Sequence, residues 1–156
     1  MTARSLAVLG VALSCVACSE QAPPAPPPVP FKSLATVKQL MNALTVPTSN
    51  VVFGAAGEPP KEDEDWLDVE RNALSLAESG NLLMLPGRGR DDTEWRQQSV
   101  ALIEAATLAV AAAEAKNTDK LAEAGDAIYA VCESCHQHFK PTQPMAASPS
   151  PRAGLR

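Results

Sequence analysis

Between residues 31 and 140 the apolar side chains recur every three or four positions in four blocks, and no block shows the two-residue alternation of a half-buried strand. In the first block Leu34, Val37, Met41 and Leu44 line one helical face, with Ser33 as the expected N-cap and Pro47 ending or kinking the helix. Thr48 to Pro60 reads two ways. Val51-Val52-Phe53 either continues a kinked helix or folds over the core as an apolar loop, before Gly54, Gly57, Pro59 and Pro60 break the chain. The second helix opens in Glu62-Asp63-Glu64-Asp65, acidic residues suited to a positive helix N-terminus. Trp66, Val69, Ala73, Leu76 and Leu83 form its stripe, and Pro86-Gly87 stops it. After the turn Gly87-Arg88-Gly89-Arg90, a third helix starts near Asp91-Asp92-Thr93, with Val100, Ile103, Thr107 and Val110 predicted on its inner face. Its many alanines favour helix and permit close helix–helix approach. Lys116-Asn117-Thr118-Asp119 makes the next turn and cap, and Leu121, Ala124, Ile128, Val131, Cys135 and Phe139 stripe the last helix. Four such helices on short turns predict an all-α, antiparallel up-down four-helix bundle.

The segments outside this domain have a different composition. Arg4 followed by the apolar run Leu6 to Ala17 reads as an export signal over residues 1–17, too short to span a bilayer as a permanent helix. It ends Cys15-Val16-Ala17-Cys18-Ser19, similar to a bacterial lipobox in which Cys18 becomes the lipidated first residue. Cys15 stands where leucine is usual, and cleavage without a lipid is the competing reading. By resemblance to bacterial lipoprotein sorting, Ser19 in place of aspartate favours the outer membrane, so the chain is expected on the periplasmic side, anchored there by lipid. Residues 18–30 join that anchor to the domain. Their proline-rich part, Gln21 to Pro30, should be extended polyproline II, reaching roughly 30 Å at ~3.1 Å per residue. Residues 141–156 form a Pro/Ser/Ala tail expected to be disordered, which leaves 31–140 as the folded domain.

The chemistry sits at the end of the last helix, in Cys132-Glu-Ser-Cys135-His136. Two thiols at i and i+3 followed at once by an imidazole meet the requirements of haem c. The cysteines add to the two vinyl groups as thioethers and the histidine binds iron from the same side. On a helix, positions 132, 135 and 136 share a face. A zinc site would want a second ligand pair, but the other two of the four cysteines are Cys15 and Cys18. A redox dithiol of the thioredoxin kind would want βαβ units, and the pattern contains none. With two cysteines on haem, Cys18 on lipid and Cys15 lost with the signal, none remains for a structural disulfide. Only 4% of residues are aromatic, so the protein core is thin, and one inserted haem c per chain would supply apolar bulk.

Charge narrows the function further. The chain carries a net −5, with no basic stripe, no glycine-rich phosphate loop and no Ser/His/Asp pattern, so neither nucleic-acid binding nor hydrolase chemistry is supported. A carrier is expected rather than an enzyme.

A CxxCH at the end of a fourth helix resembles the class II cytochromes c, the cytochrome c prime family. The likeness extends over Leu34 to Lys140, and Cys132-x-x-Cys135-His136-x-x-Phe139-Lys140 follows the family pattern of a closing aromatic and then a basic residue. The resemblance implies covalent haem between the helices with His136 as proximal iron ligand. Low-spin members add a distal methionine and transfer electrons. High-spin members leave that side closed by an apolar group and bind small gases such as nitric oxide. Met41 falls where low-spin members place their methionine. Those members carry an arginine four residues earlier, where this chain has Val37 beside Lys38.

Other candidates near iron are weighed from the residues. Methionine on an apolar stripe is often filler, so Met41 stands evenly between core and distal ligand. Met84, at a helix end, is expected to pack. His138 lies about 200° around the helix from His136 and cannot face the same iron. Lys140, one turn on from His136, either pairs with a haem propionate or simply favours the helix C-terminus.

The resulting expectation is a monohaem c-type cytochrome carrying single electrons to a redox partner protein, with a five-coordinate gas-binding haem protein as the alternative and an exported helical adaptor with a vestigial motif as a third reading. A homodimer, common in the family, is left open. Cys18→Ser should move the protein from the membrane to the soluble periplasmic fraction, checked by fractionation and immunoblotting, because it removes the lipid and leaves a polar exterior.

Overall fold

The computed structural model describes residues 31–90 and 92–139 of the 156-residue chain. The signal, Cys18, the proline-rich tether, Lys140 and the tail all lie outside the described residues. Within them the protein is helical, with α1 (Val37–Leu40), a π turn (Met41–Thr45), α2 (Val46–Gly57), α3 (Asp63–Leu83), α4 (Thr93–Glu114) and α5 (Thr118–Phe139) in chain order. The residues at both junctions of the π turn keep right-handed helical backbone angles, so α1, the π turn and α2 run on as one rod. The result is four helical rods packed against one another. α3 packs on α4, α4 on α5, and α2 on both α3 and α5.

Side-chain contacts give the directions. Trp95 at the start of α4 donates its indole N–H to the Leu83 carbonyl at the end of α3 (3.0 Å). At the other end of that pair, Lys116 after α4 meets Asp63 at the start of α3 (2.7 Å). Gln98 near the start of α4 donates to Ser134 Oγ near the end of α5 (2.9 Å). Neighbouring rods therefore run antiparallel along both α3–α4 and α4–α5.

The first rod begins later than its pattern predicts. Thr36, not Ser33, is the N-cap, in a capping box with Gln39, and Leu34 is exposed. The Ser33 hydroxyl instead accepts from Arg88 Nε (3.2 Å), and the same nitrogen reaches the Ala35 carbonyl (3.1 Å), so the turn after α3 holds the chain where it enters the bundle. Pro47 neither ends the helix nor leaves it regular. It has no N–H for the Ala43 carbonyl, and its ring would collide there in a regular helix. The π turn immediately upstream absorbs the mismatch, with the Val46 N–H bonding five residues back to Met41. Of the two readings of Val51-Val52-Phe53, the continuing helix is the one found, and Val52 is fully buried.

α3 matches its stripe: Trp66, Val69, Ala73, Leu76 and Leu83 are all buried. Its N-terminus is capped by Glu62, whose side chain accepts from the third helical residue while Asp65 accepts from the Glu62 N–H. α4 begins where expected, with the Asp92 carboxylate accepting from the Trp95 backbone N–H (2.7 Å). Its buried face, however, is not the one the branched residues mark. Val100 and Thr107 are exposed, and Ile103 and Val110 are half-buried. The inner face is Trp95, Ser99, Leu102, Ala105, Ala106, Ala109, Ala112 and Ala113. Burying this small-residue face lets α3 and α4 approach closely. A Cβ added at Gly80 of α3 would lie 2.6 Å from Ile103 Cγ1 and 2.8 Å from the Ser99 carbonyl.

The turn from α4 to α5 is a Schellman arrangement: the Asn117 N–H bonds to the Ala112 carbonyl and the Lys116 N–H to Ala113, with Lys116 at φ 48°. The Asn117 side chain then accepts from the Lys120 N–H (2.9 Å), so one residue closes α4 and caps α5. Leu76, Leu121, Ile128 and Val52 are the largest fully buried apolar side chains, each contributing about 1.5–3 kcal/mol.

Gly80→Ala should destabilise the protein. The helix propensity gained is up to ~1 kcal/mol, but overpacking against the α4 backbone costs about 1–3 kcal/mol. Urea denaturation of the two proteins should show a lower midpoint for the variant with an unchanged slope.

Candidate cofactor site

α5 is amphipathic, and its two sides are told apart by what they meet. Gly125 faces α2, where an added Cβ would come within 3.1 Å of Ala56 Cβ. Tyr129 shares with Phe53, Ala56 and Gly57 a cleft of about 310 Å³ between the same two helices. Ser134, bonded to Gln98, marks the side towards α4. Gly125, Tyr129, Cys132 and His136 follow one another at four-three-four spacing, which is a single ridge on an α-helix. Cys132 and His136 therefore sit on the side of α5 that faces the first rod. Cys135 lies further round towards α4, whose Glu94 acts on it electrostatically.

The two cysteines are free thiols and half-buried, while His136 is exposed. Burial pushes the Cys132 thiol above its ordinary pKa. Burial also pushes Cys135 up, helped by the neighbouring Cys132 and by Glu94. A reactive dithiol needs thiolate, which a positive setting would favour. Here the setting favours neutral thiols.

Around this pair the end of the bundle is built from rings. Phe139 meets the buried Trp95 edge-on, with centroids 5.1 Å apart and planes at 74°. The Arg90 guanidinium lies over the Phe139 ring, 5.5 Å from its centroid. His138 is exposed, as its helical position predicts, with Nδ1 beside the Ser134 carbonyl (3.0 Å). Met84 is half-buried and lines a cleft of about 210 Å³ with Leu83, Gly89, Arg90 and Trp95, a packing position.

Met41 opens the π turn and packs, half-buried, against the same core that Cys132 packs against. The Ala56–Gly125 approach packs α2, the later part of the first rod, on α5. The start of the rod, tied to the turn after α3 through Arg88, lies at the same end of the bundle as the end of α5. Met41 lies one turn beyond Thr45 on the same face. The π turn packs on α3, whereas α2 packs on both α3 and α5. The four residues named from the sequence, Cys132, Cys135, His136 and Met41, lie towards one end of the bundle. A residue that the sequence reading did not single out, Thr45, is 4% exposed and has no hydrogen-bond partner at its hydroxyl. The available signal was a polar residue four positions after Met41 on the predicted inner stripe.

The donor set suits haem c. The thiols are unpaired and one helical turn apart, and the imidazole next to the second is open for a bond. Among the described residues no group of three or more His, Cys, Asp or Glu side chains is arranged to hold a metal ion. Iron in a porphyrin needs protein only at its axial positions, so one imidazole on this ridge suffices for the proximal side. Among the described residues no helix is long and apolar enough to cross a membrane. No protein-family model matches the chain, and neither a curated protein nor a solved structure matches it.

Proposed function

We propose that the chain is a monohaem c-type cytochrome of the class II kind that carries single electrons outside the cytoplasm, held to the membrane by lipid on Cys18. Cys132 and Cys135 hold the haem as thioethers and His136 is the proximal ligand. The observation that carries this reading is Cys132-x-x-Cys135-His136 on the last turns of α5, with unpaired, half-buried thiols and an exposed imidazole on the side facing the first rod. When bound, haem supplies a one-electron couple at its iron. The chain's own part is to fix the ring through two side chains of one helix, to present one imidazole from the same helix, and to offer Met41 from the first rod as the distal group. The antiparallel arrangement serves this, because it brings the start of the first rod to the end of α5. A thin, alanine-rich core with apolar side chains left half-buried at that end (Met41, Leu44, Val131, Cys132 and Phe139) is in keeping with a bundle that gains its remaining apolar contact from a cofactor.

Attachment can be tested directly. The purified protein should keep its haem through denaturation and acid–organic extraction, and Cys132→Ala or Cys135→Ala should weaken or abolish that retention, read by haem stain and intact mass. Haem that extracts freely from the wild type overturns the reading.

The distal side is read by absorption spectroscopy in both redox states. With Met41 on iron, the wild type should be six-coordinate and low-spin and should show a weak far-red methionine–iron band. Met41→Ala should lose that band, bind carbon monoxide more readily and have a lower potential, because a soft thioether favours reduced iron. A high-spin wild type that takes up the gas unaided would put the gas-binding function in place of electron transfer.

A further inference from the structure

The buried hydroxyls of this bundle have a common habit. Thr48 Oγ1 donates to the Leu44 carbonyl (2.8 Å), Ser49 to Val46 (3.0 Å), Ser79 to Leu76 (2.7 Å) and Ser99 to Trp95 (2.8 Å), each turning back on its own helix. Thr45 does not. It is 4% exposed, and its Oγ1 is the buried side-chain oxygen without a partner among the described residues. The local reason is the π turn. A threonine hydroxyl in a helix ordinarily bonds back to a carbonyl three or four residues earlier; here the carbonyl four back, that of Met41, is held in the wider π geometry by the Val46 N–H five residues on, not in the regular α-helical geometry. An unpaired buried hydroxyl costs about 1–3 kcal/mol. Valine has the same shape and would avoid that penalty, so the oxygen at this position calls for a partner.

We propose that Thr45 is a positioning residue for the distal face, its hydroxyl donating a hydrogen bond to the Met41 thioether when that sulfur stands opposite His136. Met41 is one turn away on the same face of the rod, and a thioether sulfur is a weak acceptor. A hydrogen bond to an axial sulfur draws electron density from it and so favours reduced iron, as partners of metal ligands commonly tune the metal they serve. Thr45 then raises the reduction potential while Met41 makes the bond. This inference rests on the electron-carrier reading above.

The test uses full-length holoprotein of the wild type, Thr45→Val and Thr45→Ser, with a potentiometric titration and the far-red spectrum of each. Thr45→Val removes the donor at constant shape. It should stay six-coordinate, keep its methionine–iron band at a displaced wavelength, and titrate at a lower midpoint potential. Thr45→Ser, which keeps the donor, should remain close to the wild type in both readouts. A Thr45→Val protein with the wild-type band and midpoint overturns the proposal and leaves the cytochrome reading standing. A midpoint lowered equally in Thr45→Ser overturns it too, since lost packing would then be the cause. Loss of the earlier reading has a different signature: a wild type with no covalent haem, or with haem but no methionine–iron band, removes the sulfur partner and this proposal with it.

Discussion

Pro47 cannot donate to the Ala43 carbonyl, and the helix that contains it survives only because the turn before it opens into π geometry. Much of the candidate site's geometry follows from that accommodation. A regular helix through this region would let Thr45 bond back to Met41 as the other buried hydroxyls do to their carbonyls. A helix broken at Pro47 would leave Val52 no rod to ride on and would detach Met41 from the contact at Ala56. The π turn keeps one rod from Val37 to Gly57 and gives its two halves different partners, α3 for the π turn and both α3 and α5 for α2.

Small residues hold the other side of the arrangement. Gly80 against Ser99 and Ile103, and Gly125 against Ala56, bring backbones close where a larger side chain would separate them. These contacts fix register as well as distance, because each small residue fits only opposite its own gap. The surface ion pairs add little to this. Lys116–Asp63 is well exposed, and exposed pairs contribute ~0–1 kcal/mol. Packing of alanine and glycine therefore sets the frame, and α5 delivers Cys132 and His136 to a position defined by Gly125 two to three turns earlier.

Much of this was legible in the sequence, and the exceptions have physical causes. The stripes of α3 and α5 were plain because large apolar residues there do face the core: Trp66, Leu76, Leu121 and Ile128 are buried. The caps at Asp92 and Asn117 followed from side chains that satisfy helix-end N–H groups. α4 was read on the wrong face because its branched residues outweigh alanine in hydrophobicity, whereas close approach selects for small size. Leu34 misled in the same way, since an apolar residue before the cap has no helix to orient it. The π turn left no periodic trace, and only Pro47 hinted at it. The CxxCH motif was legible for another reason, which is that its chemistry depends on residue order as much as on fold.

Two kinds of order thus meet at this end of the bundle. The thiols and imidazole need only one helix, and any stable α5 would present them together. The proposed distal side would need two rods in register, so it would be sensitive to contacts far from Met41 itself. Gly125 is the telling position. It contributes no chemistry, yet a side chain there would meet Ala56 at 3.1 Å and push the first rod away from α5. Such a change would leave Cys132, Cys135 and His136 on their helix while altering the separation between α5 and the first rod. In the proposed cytochrome, attachment and distal geometry would therefore be separable: the first would rest on five consecutive residues, and the second on how closely two helices approach.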